Sequence, residues 1–185
     1  MRRKILGLVI LLFFCASLGA FAYEKKSKEF PFMASYNKGG QLNFYAAVGF
    51  YGIGLEVAAG PELIIQEFNI GGIPLEWGVT VRGMLGFGGF LGYSWLDWGV
   101  APMATLHWGL DLGDIWKFDW YIGLGLGISG TIGEYDYWGS AGALRFGFAS
   151  FNGVAWQFAD NIAVIVDAGY AGYVGVYGVG VRFNL

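Results

Sequence analysis

Two alternating stripes run through most of this chain, and residues 73–87 show them most cleanly. Ile73, Leu75, Trp77, Val79, Val81, Leu85 and Phe87 fall on one face, while Glu76, Gly78, Thr80, Arg82 and Gly86 fall on the other. A period of two is the period of a β-strand, and it recurs in segment after segment. A soluble sandwich also alternates, but it hides its apolar face, keeps its polar face wet and seldom fills that polar face with glycine. Here the large apolar and aromatic residues oppose glycine and charge, the pattern of a sheet closed into a membrane-spanning barrel with its greasy face outward. The fold class expected is therefore all-β, an antiparallel up-and-down β-barrel that crosses a membrane.

The start of the chain bears on where such a barrel would reside. Arg2, Arg3 and Lys4 precede an apolar run over residues 5–18 that ends in Ala20-Phe21-Ala22. This is the layout of a secretory signal peptide, residues 1–22, with cleavage after Ala22; the run is too short for a bilayer-spanning helix. The single cysteine, Cys15, lies inside it and follows Phe14, where a lipoprotein signal wants a small residue. A mature chain would then hold no thiol, so no disulfide and no cysteine-based metal site. With 33 glycines, 19% aromatic and only 14% charged residues, the chain is too apolar for an ordinary soluble domain. Past residue 22, however, charge or glycine interrupts every apolar stretch before a helix could span, and a closed sheet is the remaining way across a bilayer. Removing residues 1–22 leaves 8 basic against 14 acidic residues, a net charge of −6, which argues against nucleic acid as a partner.

Residues 23–39 differ in composition, with Lys25, Lys26, Lys28 and Lys38 among Glu24, Glu29 and Pro31. They read as a flexible periplasmic lead-in to a barrel over residues 40–185. Turn signals divide that barrel into eight strands, at 41–50, 53–69, 73–91, 100–112, 118–130, 143–158, 162–171 and 174–185. Pro61 marks either a bulge in the second strand or the true first turn. Short turns at Gly71, Asp114 and Asp160 alternate with loops carrying Tyr93, Trp95 and Trp98, and Tyr135, Tyr137 and Trp138. That asymmetry puts the short turns and both termini in the periplasm. The outward residues nearest that edge are Trp77, Trp108, Trp120, Trp156, Phe158 and Phe183, an aromatic girdle at the height where hydrocarbon meets headgroup. Gly125-Leu126-Gly127-Ile128-Ser129-Gly130 matches a dinucleotide fingerprint in letters only, because its glycines lie within a strand instead of opening a helix.

The segment Gly180-Val181-Arg182-Phe183-Asn184-Leu185 resembles the C-terminal assembly signal of Gram-negative outer-membrane barrels, with Gly180, Phe183 and Leu185 at its key positions. It departs in ending on leucine and in carrying Gly178 where a polar residue is usual. In size and layout the chain is similar to the small eight-stranded barrels of the outer-membrane protein A, X and W and opacity-protein type. The resemblance implies a bacterial outer-membrane location, lipid contact, insertion by the barrel assembly machinery, and periplasmic chaperones as earlier partners of a monomer.

Function must be read from the inward face, where parity places Glu56, Glu62, Glu76, Arg82, His107, Asp111, Asp119, Arg145, Asp167 and Arg182. An eight-stranded barrel is just wide enough for its side chains to fill, so these charges are expected to pair, with Arg82 near Glu62. Inward glycines such as Gly125, Gly153, Gly169 and Gly180 leave room for large facing side chains, water or a small apolar ligand. The leading reading is a structural or surface-interaction barrel whose extracellular loops meet a ligand or a host surface. The alternative is a narrow channel or lateral route for small hydrophobic molecules, and a remote third is a lipid-modifying enzyme. Against catalysis, the only histidine, His107, lies far from outer-leaflet substrate, and its strand neighbours Thr105 and Asp111 make a poor triad. No catalytic residue, cofactor or metal ligand is expected.

Overall fold

The computed structural model describes residues 30–51, 54–90, 93–113, 115–133, 144–159, 161–171 and 174–185. The expected signal peptide, the first part of the lead-in, Asp114, Asp160 and the loop around Tyr135 lie outside them. The described residues form nine strands and no helix. They are β1 (Met33–Ala34), β2 (Leu42–Tyr51), β3 (Gly54–Ile70), β4 (Ile73–Phe90), β5 (Tyr93–Asp111), β6 (Lys117–Gly133), β7 (Arg145–Ala159), β8 (Ile162–Ala171) and β9 (Val174–Asn184).

Each strand from β2 to β9 pairs antiparallel with the next, and β9 returns to pair with β2, from Asn43 opposite Asn184 to Phe50 opposite Tyr177. The sheet is thus a closed eight-stranded barrel with no free edge, which satisfies the backbone without help from water. Following one hydrogen-bonded row around the wall measures its stagger. The row leaves β6 at Thr131, passes through Asp97, Gly86, Glu56, Gly49, Gly178, Asp167 and Gly153, and returns to β6 at Tyr121, ten residues away. Strands in such a barrel must tilt, and residues of one row do not share one height.

The turns explain the register. Gly71 and Gly72 both take positive φ, at 61° and 90°, the conformation of a tight hairpin turn that side chains disfavour. Asn69 supports it by accepting the Gly72 N–H at 2.8 Å. Pro61 is neither the turn nor the bulge; it lies inside β3 opposite Phe44, and the bulge falls between Ile64 and Gln66.

Two further expectations change. The loop foreseen around Tyr93, Trp95 and Trp98 is the first part of β5, extended there by pairing with both Gly88 and Gly133. Glycine makes this possible: the Trp95 ring lies over Gly88 and the Trp98 ring over Gly130, where a Cβ would come within 2.3 and 2.9 Å. The lead-in is also not a loose tail over its described part. β1 pairs with Gly109 and Leu110 of β5 beyond the point where β4 stops pairing, at His107. The strap then crosses the barrel mouth to β3, where Gly40 N donates to Ile64 O and Ile64 N to Gln41 O.

Candidate functional site

The wall sorts its residues by face. Val48, Leu55, Leu124, Phe148 and Val179 are more than half exposed on the outside, while Glu62, Glu76, His107, Asp119 and Arg182 are at most 1% exposed on the inside. Apolar outside and ionised inside inverts a soluble protein and suits hydrocarbon as the solvent. The chain is a membrane-spanning β-barrel. Trp77, Trp108, Trp120, Trp156, Phe158 and Phe183 all lie near the strand ends on the side of the termini. Trp116 joins them, stacked on Trp156 at 6.3 Å, while the Trp156 indole donates to Ile115 O at 2.7 Å.

Inside, Asp119 is the hub of the half nearest the termini. It accepts from Arg182, from the His107 Nδ1 at 3.1 Å and from the Asn37 amide at 3.0 Å. Glu62 accepts from the His107 Nε2 at 3.0 Å, from Asn43 at 3.3 Å and from the Tyr45 hydroxyl. Both nitrogens of His107 therefore face carboxylates, and its ring stacks on Tyr121. Glu76 is held by the strap: the Ser35 hydroxyl, the Tyr36 and Asn37 backbone N–H groups and the Asn37 side chain all donate to it. Arg182 spends its remaining donors on Asn184 and Gln157. Burial and the nearby Asp111 and Asp119 charges push the Tyr36 phenol up to about 12, so it remains a donor to Leu110 O.

Above this network Arg82 meets Asp167 at 2.5 Å, not Glu62. The bulge sets Thr80 opposite Glu62, and the long Arg82 side chain crosses the lumen to β8. Its guanidinium lies 4.5 to 4.6 Å from the Phe151 and Tyr45 rings, close enough for cation–π attraction, and Tyr121 also donates to Asp167. The inward glycines make room for these rings, since a Cβ on Gly153 would strike Tyr121 and one on Gly169 would strike Phe151. Beyond Arg82 comes an apolar layer of Ala58, Met84, Ala101, Met103, Ala149, Phe151 and Ala171. Past it lie Glu56 and an Asp97–Thr131–Arg145 chain with links of 2.5 and 3.3 Å.

The inward charges thus fall into separate groups. Glu62, Glu76, His107, Asp119 and Arg182 come together, Arg82 joins Asp167, and Arg145 reaches the Asp97 group. Among the described residues Glu56 joins none of them. Asp111 stands apart at the rim, half-exposed, and accepts from Gly113 N at 3.1 Å. Glu76, His107 and Asp119 each bring a ligand atom within 4.8 Å of the others, the spacing of a metal site. Their oxygens already serve Arg182, Ser35 and Asn37. Parity alone would have added Tyr45, Asn43, Tyr121 and Asp97 to the lumen set, since each alternates with the outward apolar residues of its strand. Nothing in the pattern pointed to Ser35 or Asn37.

No protein-family model matches the chain, and no curated protein does. Among solved structures, Neisserial surface protein A is similar at 16% identity and a TM-score of 0.45, over 78% of this chain and 95% of the other. Ail, the attachment invasion locus protein of Yersinia pestis, is similar at 13% and 0.42, over 78% and 97%. A de novo designed transmembrane β-barrel is similar at 12% and 0.44, over 80% and 98%. The fold itself rests on the chain's own strand ladders.

Proposed function

We propose that this chain is a bacterial outer-membrane barrel whose lumen is closed by its own side chains, and that it acts as a structural or surface-interaction protein, not as an enzyme. The observation that carries the reading is the ion-paired and hydrogen-bonded interior, in which Arg82 and Arg182 each cross from one wall to a carboxylate on another. Buried charges are stable only when paired, and these pairs occupy the path an aqueous pore would need. With both nitrogens of His107 engaged by carboxylates, no free base faces a nucleophile among the described residues. The membrane lipid is one partner, and the barrel assembly machinery and periplasmic chaperones are others, with Gly180, Phe183 and Leu185 as the assembly signal. Contact with an extracellular ligand or host surface falls to the connections at the end opposite the strap, and the barrel works as a monomer.

Conductance of the refolded chain, residues 23–185, across a planar bilayer tests this. A folded barrel, recognised by its heat-modifiable migration on a gel, should be silent. Discrete channel steps would overturn the closed lumen and put passage of small molecules first.

A further inference from the structure

The outer wall breaks its own rule on one strand. Between the aromatic girdle and the opposite rim, the exposed side chains of the described strands are apolar or aromatic, as at Val48, Val57, Val81, Val100, Leu124 and Val166. β7 instead turns Asn152 outward and exposed, with a half-buried Ser150 at the outward position before it. Neither side chain makes a hydrogen bond among the described residues. Asn152 is flanked by Ile122 on β6 and Ala168 on β8, which have no polar side-chain atom to offer. It is also the middle residue of β7, four residues from Trp156 of the girdle. At about 3.3 Å per residue and a strand tilt of about 40°, that is about 10 Å into an apolar band about 25 Å tall.

An amide at that depth has no water to bond, and hydrocarbon offers it neither donor nor acceptor. It therefore favours a neighbour that brings a matching group to the same depth. A second copy of this chain does so by construction, because its wall has the same girdle and the same strand. An asparagine side chain is self-complementary, with two N–H donors and a carbonyl acceptor. A two-fold axis along the membrane normal keeps both copies in one orientation and sets the same residue against itself. Strands tilted by about 40° then cross at about 80° where two convex walls touch, so contact is confined to a patch around the axis. The patch suits close approach, since Ser150 and Ala168 are small while Ile122, Leu124 and Tyr170 rim it. We propose that two copies pair side by side in the membrane through the β7 wall, each Asn152 amide donating to the carboxamide oxygen of the partner's Asn152. The pairing goes beyond the closed-lumen reading and leaves it intact, because each copy stays a complete working unit with its own lumen closed.

The test is energy transfer between refolded barrels, residues 23–185, mixed in phosphatidylcholine vesicles. Donor or acceptor dye is carried on a cysteine added ahead of Tyr23, where no other thiol competes. Over a series of lipid-to-protein ratios, transfer should exceed that of random encounter and fall on dilution as a two-body equilibrium. Asn152→Leu should lower the association constant at least tenfold while the barrel keeps its heat-modifiable migration, because no described bond within the barrel is lost. Val57→Leu, on the opposite wall, should leave pairing unchanged. If Asn152→Leu does not refold, Ser150→Leu, which adds bulk to the same patch, serves in its place and should weaken pairing severalfold. Transfer no greater than random encounter at every ratio would overturn the pairing and leave Asn152 in lipid. Pairing that survives Asn152→Leu, or survives Ser150→Leu where that variant stands in, would overturn it as well, and so would an equal loss in Val57→Leu.

Discussion

The two halves of the lumen are built from the same residue types to opposite effect. Near the strap, Glu62, Glu76 and Asp119 each accept from at least three donors, drawn from β2, β5, β9 and the strap itself. Beyond Met84 and Met103, Glu56 stands between two glycines with no donor among the described residues. The difference lies in what stands next to the acid on the wall. Tyr45 and Asn43 approach Glu62 from the neighbouring strand, whereas the residues directly across from Glu56 are Gly49 and Gly86, which bring no side chain. A carboxylate inside a barrel is thus held by donors or left without them according to its cross-strand neighbours.

The largest expected effect tests the paired half. Arg182→Ala leaves Asp119 with only His107 and Asn37 as partners among the described residues, and loss of one member of a buried pair costs about 3 to 5 kcal/mol. Urea unfolding followed by tryptophan fluorescence should show that loss or a failure to refold; a near-wild-type midpoint would mean that the network adds little. Both halves share one outer wall, so Val79→Arg and Leu124→Arg should cost the same, about 2 to 4 kcal/mol in refolding into lipid vesicles. Tolerance of both would mean that the faces are reversed. The strap's part is isolated by Gly109→Ala, because a Cβ there would come within 2.5 Å of Ala34 O and 2.6 Å of the Tyr36 ring. Stability should fall by about 1 to 2 kcal/mol and protease should reach residues 30–40. Unchanged resistance would show the strap to be held elsewhere. The smallest effect is that of Glu56→Gln, which should change stability by less than about 0.5 kcal/mol or raise it, since no described partner is lost. A large loss would reveal a partner for Glu56 and erase the contrast between the halves.

Much of this was legible in the sequence because strand parity is strict. One residue of phase error would have turned Glu62, Arg82 and His107 toward lipid, so the alternation alone fixed which charges face inward. What parity cannot give is the partner across the lumen. That depends on stagger, and the bulge between Ile64 and Gln66 moved Thr80 to the place opposite Glu62 while Arg82 reached Asp167 on β8. Trp95 and Trp98 read as loop in the sequence because aromatic residues among glycines look alike at a rim and in a strand. Only the pairing of Trp95 with Gly88 and of Trp98 with Gly130 distinguishes them. The strap escaped notice for a related reason. Ser35 and Asn37 are ordinary polar residues in a polar stretch, and the acid they serve, Glu76, is some forty residues away.

The Asp119 hub joins β6 to β5 and β9, and through Asn37 to the strap, so its bonds run across the cross-section like spokes to a rim. A hollow barrel can flatten into an ellipse and unzip at one seam. Spokes resist that deformation, because pulling any one wall outward strains bonds anchored in the others. Amide hydrogens along the β2–β9 seam should then exchange together with those of β5 and β6, as one cooperative unit with no weak edge.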